Sequence, residues 1–375
     1  MKFVDFSQFF SKLIGFSIDK VSGKTYLRLI NRLTKTQEDL GMSDKVTIND
    51  IAKLAGVSKT TVSFYLNGKL EKMSEETRKK LEDVIAKTNY YPNTMARSLN
   101  YKQTYLIGVI IGDITNSFAN QIVKGIDDYS REHGYQMIVG SSSYILENER
   151  KCLMGMAAMG ADGFIVQPTV HFETMWKEIG IRKPIAYFDS PNQASEELWV
   201  KTNNYEAVYD ATEQLVNEGY EQFVMVTADP YVLQTRMERN RGFTDCLDIA
   251  KKNYEVILAD STTSSEALEG KLLPYLKGNS PTAVFVCNNW LLDKVYLVLR
   301  NYSDLIPQKI GLIGFDSLEW TELVKPSITT IVQPAYDEGQ AAARILIDRI
   351  EGKNTEAPNW ILKCRINQLE STKRK

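Results

Sequence analysis

Residues 48–63 read Ile48-Asn49-Asp50-Ile51-Ala52-Lys53-Leu54-Ala55-Gly56-Val57-Ser58-Lys59-Thr60-Thr61-Val62-Ser63. Ile48, Ile51, Ala52 and Ala55 recur at i, i+3, i+4 and i+7, one face of an α-helix. Gly56 permits a sharp turn. Ser58 is a natural cap for a second helix, whose Val62 and Leu66 point inward. Two short helices joined by a glycine turn make a helix-turn-helix. In that motif the N-terminal residues of the second helix enter the DNA major groove. Here they are Lys59, Thr60 and Thr61, with Ser63 beside them, and Lys and Thr suit contacts to base edges and phosphates. A third helix follows: Ser74 caps it, Glu75 and Glu76 favour its positive end, and Leu81, Val84 and Ile85 close a small core. On helix pattern alone, a three-helix packing domain that reads nothing stays open.

Charge distribution favours the nucleic-acid reading. Residues 43–102 hold eleven Lys/Arg against seven Asp/Glu, a net +4, which leaves −6 on the rest of a chain that totals −2. A basic segment on an acidic body fits a polyanion-binding module attached to a body with another task. The 375 residues suffice for two or three domains, and 43% hydrophobic with 25% charged residues is ordinary globular chemistry. Cys152, Cys246, Cys287 and Cys364 lie far apart with no Cys-x-x-Cys, so neither a disulfide framework nor a zinc site is expected. No apolar run approaches the roughly 18 residues of a membrane span. The aromatic-rich start is broken by Asp5, Lys12, Asp19 and Lys20, unlike a secretory signal. A cytoplasmic protein without membrane association is expected.

Beyond residue 103, short apolar runs alternate with amphipathic stretches. Strands are expected at 106–111, 136–139, 163–166, 185–188, 223–226, 255–258, 283–286 and 310–313. Helices are expected at 118–133, 205–219 and 290–301. Such alternation means βαβ units and parallel sheets covered on both faces. Whether the strands form one large sheet or two smaller ones is open at this point.

The segments VTINDIAKLAGVSKTTVSFYLNG (46–68) and SEETRKKLEDVIAKTNYYPNTMARSL (74–99) resemble the headpiece of the LacI/GalR family of transcription regulators. The resemblance runs on through IGVIIGDITNSFANQIVKGID (107–127), ADGFIVQP (161–168), MERNRGF (237–243), FVCNN (285–289), IGLIGFD (310–316) and SITTIVQPAYDEGQAAARILIDRI (327–350). It implies an α/β chain: a helix-turn-helix headpiece and a periplasmic-binding-protein-like sensor of two doubly wound α/β subdomains. The implied layout is an N-terminal extension at 1–42, the headpiece at 43–90, a hinge helix and linker at 91–103, and an effector-binding and dimerisation domain at 104–375. The extension lies outside the family pattern, and Met42-Ser43-Asp44-Lys45 resembles a usual start.

The resemblance further implies a repressor of a carbohydrate catabolic operon. A homodimer would bind a palindromic double-stranded DNA operator, and a small sugar or sugar acid between the subdomains would control it. No cofactor, metal or catalytic residue is implied. Asn93, Ala96, Arg97 and Leu99 fall on the hinge helix, Leu99 at the place of the leucine wedged into the minor groove. Phe64 stands where many members carry Arg, so one DNA contact is expected to be missing. In the sensor the carry-over places Phe118, Asp189, Arg239, Asn289, Trp320 and Gln333 at the effector, with Arg239 as the clamp. Trp320 reads equally as a packed aromatic.

Asn289 replaces the Asp of many sugar binders. With Arg236, Arg239 and Arg241 nearby, that favours an acidic sugar. Arg236 and Arg239 share a helix face and Arg241 lies off it. GFDSLEW (314–320) and Gln333-Pro334-Ala335-Tyr336 resemble regulators of ketodeoxygluconate metabolism. The competing readings are an α/β enzyme, or a solute-binding protein, with an accessory headpiece. Against an enzyme stand only two histidines, His133 and His171, and the lack of any phosphate-loop, dinucleotide or nucleophile-elbow motif.

Overall fold

The computed structural model describes residues 46–91, 103–191, 195, 197–316, 319–353 and 359–374. The extension and the hinge positions Asn93, Ala96, Arg97 and Leu99 lie outside the described residues. The chain divides into two compact units at residue 100/101.

In the first unit, helices α1 (Ile48–Ala55), α2 (Lys59–Leu66) and α3 (Glu75–Thr88) surround Ile51, Ala52, Val62 and Leu81. The expected glycine turn is present: Gly56 adopts φ 67°, a left-handed conformation suited to a helix C-cap. Ser58 and Ser74 cap α2 and α3, accepting from the backbone N–H of Thr61 and Thr77. One cap escaped the sequence reading. Thr47 and Asp50 form a reciprocal capping box that starts α1.

The second unit contains two six-stranded sheets, which resolves the open choice. The first comprises β1 (Leu106–Ile111), β2 (Gln136–Ser141), β3 (Gly163–Val166), β4 (Ile185–Phe188), β5 (Leu198–Thr202) and β11 (Asn359–Leu362) in the order 11-5-4-3-1-2. The second comprises β6 (Gln222–Thr227), β7 (Asn253–Leu258), β8 (Thr282–Val286), β9 (Ile310–Phe315), β10 (Thr329–Val332) and β12 (Arg365–Asn367) in the order 12-10-9-8-6-7. All pairings are parallel except β10 with β12. The two lobes share one doubly wound topology, so β4 and β9 occupy equivalent places. The eight expected strands all exist. The four extra ones, β5, β10, β11 and β12, sit toward one side of each sheet. Central strands such as β1, β3 and β8 are buried throughout or nearly so, the signature of a sheet covered on both faces.

Helices α4 (Ser117–Glu132), α5 (Leu146–Ala158), α6 (Phe172–Ile179) and α11 (Ala335–Ile350) pack on the first sheet. Helices α7 (Asn204–Asn217), α8 (Gln234–Ile249), α9 (Ser265–Lys277) and α10 (Asn289–Leu299) pack on the second. The chain therefore passes between lobes three times: after β5, after β10 and after β11. Among the described residues no helix is long and apolar enough to cross a membrane.

Two helix crossings are closer than any side chain allows. A Cβ on Gly339 of α11 would lie 2.1 Å from the Ile122 carbonyl oxygen of α4, and one on Gly242 of α8 would lie 2.4 Å from the Tyr205 carbonyl oxygen of α7. Real Cβ atoms do not come that near, so backbone must shift if either glycine is replaced. Gly339→Ala is expected to lower stability by about 1–3 kcal/mol in urea unfolding, the usual range for overpacking. Gly270→Ala, on an exposed helical site with open space around it, is expected to be neutral or stabilising. Equal midpoints for the two variants would contradict the close crossing.

Candidate functional site

In the headpiece, the capped start of α2 presents Lys59 and Thr60 as exposed side chains. Thr61 is half-buried, and its hydroxyl lies 2.9 Å from the Ser58 hydroxyl, so it helps build the cap. Ser63, also half-buried, receives the Asn67 amide on its hydroxyl and its carbonyl. Of the four expected reading residues, Lys59 and Thr60 have the freest side chains. Phe64 lies under the Lys72 ammonium, 4.9 Å from the ring centroid, rather than replacing the missing arginine in kind.

In the second unit, a cavity opens between the two lobes. Five of the six residues expected at the effector line it: Phe118, Asp189, Arg239, Asn289 and Gln333. Trp320 is not among the lining residues. It packs against Tyr296 at 5.1 Å between centroids, beside the α9–α10 core, as the alternative reading had it.

The sequence reading missed several lining residues, including Asn116, Tyr144, Gln167, Thr235, Asn288 and Asp316. A signal for them existed. Gln167, Asp189, Asp316 and Gln333 each directly follow a strand (β3, β4, β9 and β10), and Asn288 follows β8 by two. The carboxyl ends of parallel strands are where such folds bind ligands. Asp189 and Asp316 stand at the equivalent places of the two lobes, both left-handed, with φ 58° and 68°. Asp is one of the residues that tolerates this conformation, which turns each chain sharply into the cleft.

Arg239 is buried, and protein groups occupy its donors. Nε donates to Asn204 Oδ1 at 2.7 Å, Nη1 to the Cys287 carbonyl at 2.9 Å, and Nη2 to Gln333 Oε1 at 3.4 Å. Its guanidinium sits 3.6 Å from the Phe315 ring centroid. Gln333 extends the network: it also accepts from Thr202 Oγ1 at 2.8 Å and donates to Asp316 Oδ1 at 2.7 Å. One glutamine thus joins β5 of the first lobe to the end of β9 in the second.

Further bonds cross between lobes. Asn289 Nδ2 donates to Asn116 Oδ1 at 2.7 Å, and the hydroxyls of Ser190 and Thr235 meet at 3.0 Å. Lys201 and Glu238 form a buried ion pair. Asn289 therefore has a local reason to be an amide: a carboxylate there would set acceptor against acceptor at Asn116.

Arg236 is equally buried but differently employed. Nη1 reaches the Asp229 carbonyl at 3.3 Å, and the guanidinium lies 5.0 Å from the Tyr144 ring centroid. Nε has no partner. An unmet buried donor costs about 1–3 kcal/mol, more when charged. Arg241, by contrast, is exposed, reaching Asp245 at 4.0 Å with its guanidinium 5.8 Å from the Tyr205 ring centroid. Burial drives the Arg236 pKa down, and the Glu338 pKa well up. Glu338 accepts the Asp189 N–H at 2.7 Å and leaves Oε2 unpartnered.

Burial also lifts Asp316 from the ordinary 3.8 to about 6, although Arg239 acts the other way. A carboxyl whose pKa is higher folded than unfolded holds more protons in the native state between those values. Its contribution is therefore favourable below about pH 4 and is lost as pH rises through about 6. Asp316→Asn is expected to remove that slope and to raise stability near pH 7.5 by about 1–3 kcal/mol in thermal or urea unfolding. A variant less stable than the parent at both pH 5 and pH 7.5 would contradict this charge assignment.

Comparison with known proteins bears on both units. Residues 47–93 match the family described as bacterial regulatory proteins, lacI family, and residues 212–372 match the periplasmic binding protein-like domain. The HTH-type transcriptional regulator KdgR of Bacillus subtilis is 30% identical over 310 residues, covering 82% of this chain and 91% of that one. The crystal structure of the lac repressor dimer bound to operator and the anti-inducer ONPF superposes with TM-score 0.76 at 23% identity, over 88% of this chain and 99% of that one. A periplasmic binding protein/LacI transcriptional regulator from Alkaliphilus metalliredigens, complexed with D-xylulofuranose, gives TM-score 0.62 at 23% identity, over 72% and 99%. With a capped helix-turn-helix, a two-lobed sensor with a cleft, and a relative of this similarity along most of its length, the chain belongs to the LacI family and is a DNA-binding transcription regulator.

Proposed function

We propose that this regulator is a repressor of a carbohydrate catabolic operon, controlled by a small sugar or sugar acid held between the sensor lobes. The observation that carries the reading is the polar cleft at the strand ends, crossed by Asn289–Asn116 and Ser190–Thr235. Those bonds exist only when the lobes are together, so anything bound between them biases lobe closure. The Alkaliphilus relative, described in complex with D-xylulofuranose, supports a sugar-class ligand.

In this reading residues 43–90 read DNA, 91–103 carry the hinge helix, and 104–375 sense the ligand and dimerise. The dimer places two headpieces on a palindromic operator, and Leu99 wedges the operator centre. The cleft binds rather than catalyses. Its carboxylates and amides are already hydrogen-bonded to protein, which suits holding hydroxyls more than moving protons.

Operator selection from genomic fragments, followed by fluorescence anisotropy with and without sugars, tests the reading. Thr60→Ala is expected to weaken operator binding by about 1–3 kcal/mol and leave the salt slope intact. Lys59→Ala is expected to weaken all DNA and flatten the salt slope by about one counterion. Selected fragments bound no better than random DNA would sink the proposal.

A further inference from the structure

The outer face of α2 carries an aromatic ring that the headpiece core does not use. Val62 is fully buried and marks the core side of the helix. At about 100° per residue, Thr60 and Phe64 each lie about 160° from Val62, and about 40° from one another. Phe64 is half-buried, and among the described residues it stands outside the cluster built on Ile51, Ala52, Val62 and Leu81. The next two residues, Tyr65 and Leu66, do pack there. The polar side chains beside the ring are turned to each other: Asn67 Nδ2 donates to the Ser63 carbonyl at 2.7 Å and to its hydroxyl at 3.3 Å. Resting on the reading that the headpiece binds operator DNA, we infer that Phe64 is a specificity-determining residue that reads the C5-methyl group of a thymine in each operator half-site.

The chemistry of the major groove selects that group. Bases in a duplex are stacked, so a side chain entering the groove meets their edges and not their faces. Those edges carry donors and acceptors and one apolar group, the thymine methyl. A phenyl ring offers no hydrogen bond. Beside G·C it would strip water from polar edges without replacing it. Beside thymine it buries a methyl instead. The surroundings of the ring favour a polyanion. Lys72, exposed at the end of the single-turn helix Leu70–Lys72, sets its ammonium 4.9 Å from the ring centroid. Lys69, also exposed, donates its N–H to the Phe64 carbonyl at 2.9 Å. The ring therefore lies between Thr60, at the exposed start of α2, and a cationic turn suited to phosphates. The arginine contact expected to be missing is replaced by an apolar one, which exchanges a guanine preference for a thymine preference.

The test starts with selection of operators by the full chain from a random duplex pool, followed by fluorescence anisotropy on the best sequence. Each thymine is then replaced in turn by deoxyuridine, which pairs identically and lacks the methyl. At one position of the half-site the expected loss is about four-fold, the effect of one buried methyl group. This arm changes only the DNA, so no variant has to fold. Phe64→Ala should bind the thymine and deoxyuridine operators equally at that position, and keep the parent's unfolding temperature and its affinity for random DNA. Phe64→Leu, still apolar, should retain part of the difference. Exchanging cytosine for 5-methylcytosine there, which returns the methyl on a G·C pair, should raise the parent's affinity and leave that of Phe64→Ala unchanged. The inference is overturned if no thymine shows a deoxyuridine loss, or if every such loss persists undiminished in Phe64→Ala and Phe64→Leu. In either case the selected operator leaves the DNA-reading headpiece standing. If selection yields nothing bound better than random DNA, both fall.

Discussion

The buried guanidinium of Arg239 is the constraint on which the sensor's geometry depends. A cation taken out of water must be repaid by hydrogen bonds and nearby charge. Here Asn204, the Cys287 carbonyl and Gln333 provide them, with Phe315 beneath. Those partners come from three separate stretches of chain, and Gln333 passes the link on to Thr202 and Asp316. The Thr202–Gln333 crossing between lobes is thereby tied to one charged centre. Asp189 and Asp316, at matching strand ends, are among the residues that line the cavity.

Much of this was legible in the sequence, for physical reasons. The first helix of the headpiece follows a 3.6-residue period and its turn needs Gly56, so its helices could be placed closely. Strands β1, β3 and β4 match their expected bounds because they are short apolar runs that stop at Gly112, Gln167 and Asp189. β5 escaped because Lys201 interrupts its apolar run. That lysine is buried only through its pairing with Glu238, a partner 37 residues away. β11 and β12, in the chain's return between lobes, are half-exposed and carry little pattern.

The site was legible by residue type more than by role. Phe118, Asp189, Arg239, Asn289 and Gln333 converge on one cavity. Roles depend on which donors are already taken, and that is a property of three-dimensional neighbours. Asn289 looked like an adaptation to an anion, yet its amide bridges to Asn116 on the opposite lobe. Arg236 and Arg239 are three residues apart and equally buried. Only the network around each distinguishes the committed cation from the one with an unmet donor.

If ligand and operator communicate through lobe closure, each must change the other's affinity by the same factor, because binding linkage is reciprocal. The most direct measurement is therefore calorimetric ligand affinity for the full chain, free and saturated with operator, using the tightest-binding sugar or sugar acid. The account predicts that the two values differ by about 5- to 150-fold, the usual size of an allosteric coupling. Identical affinities in the two states would contradict it.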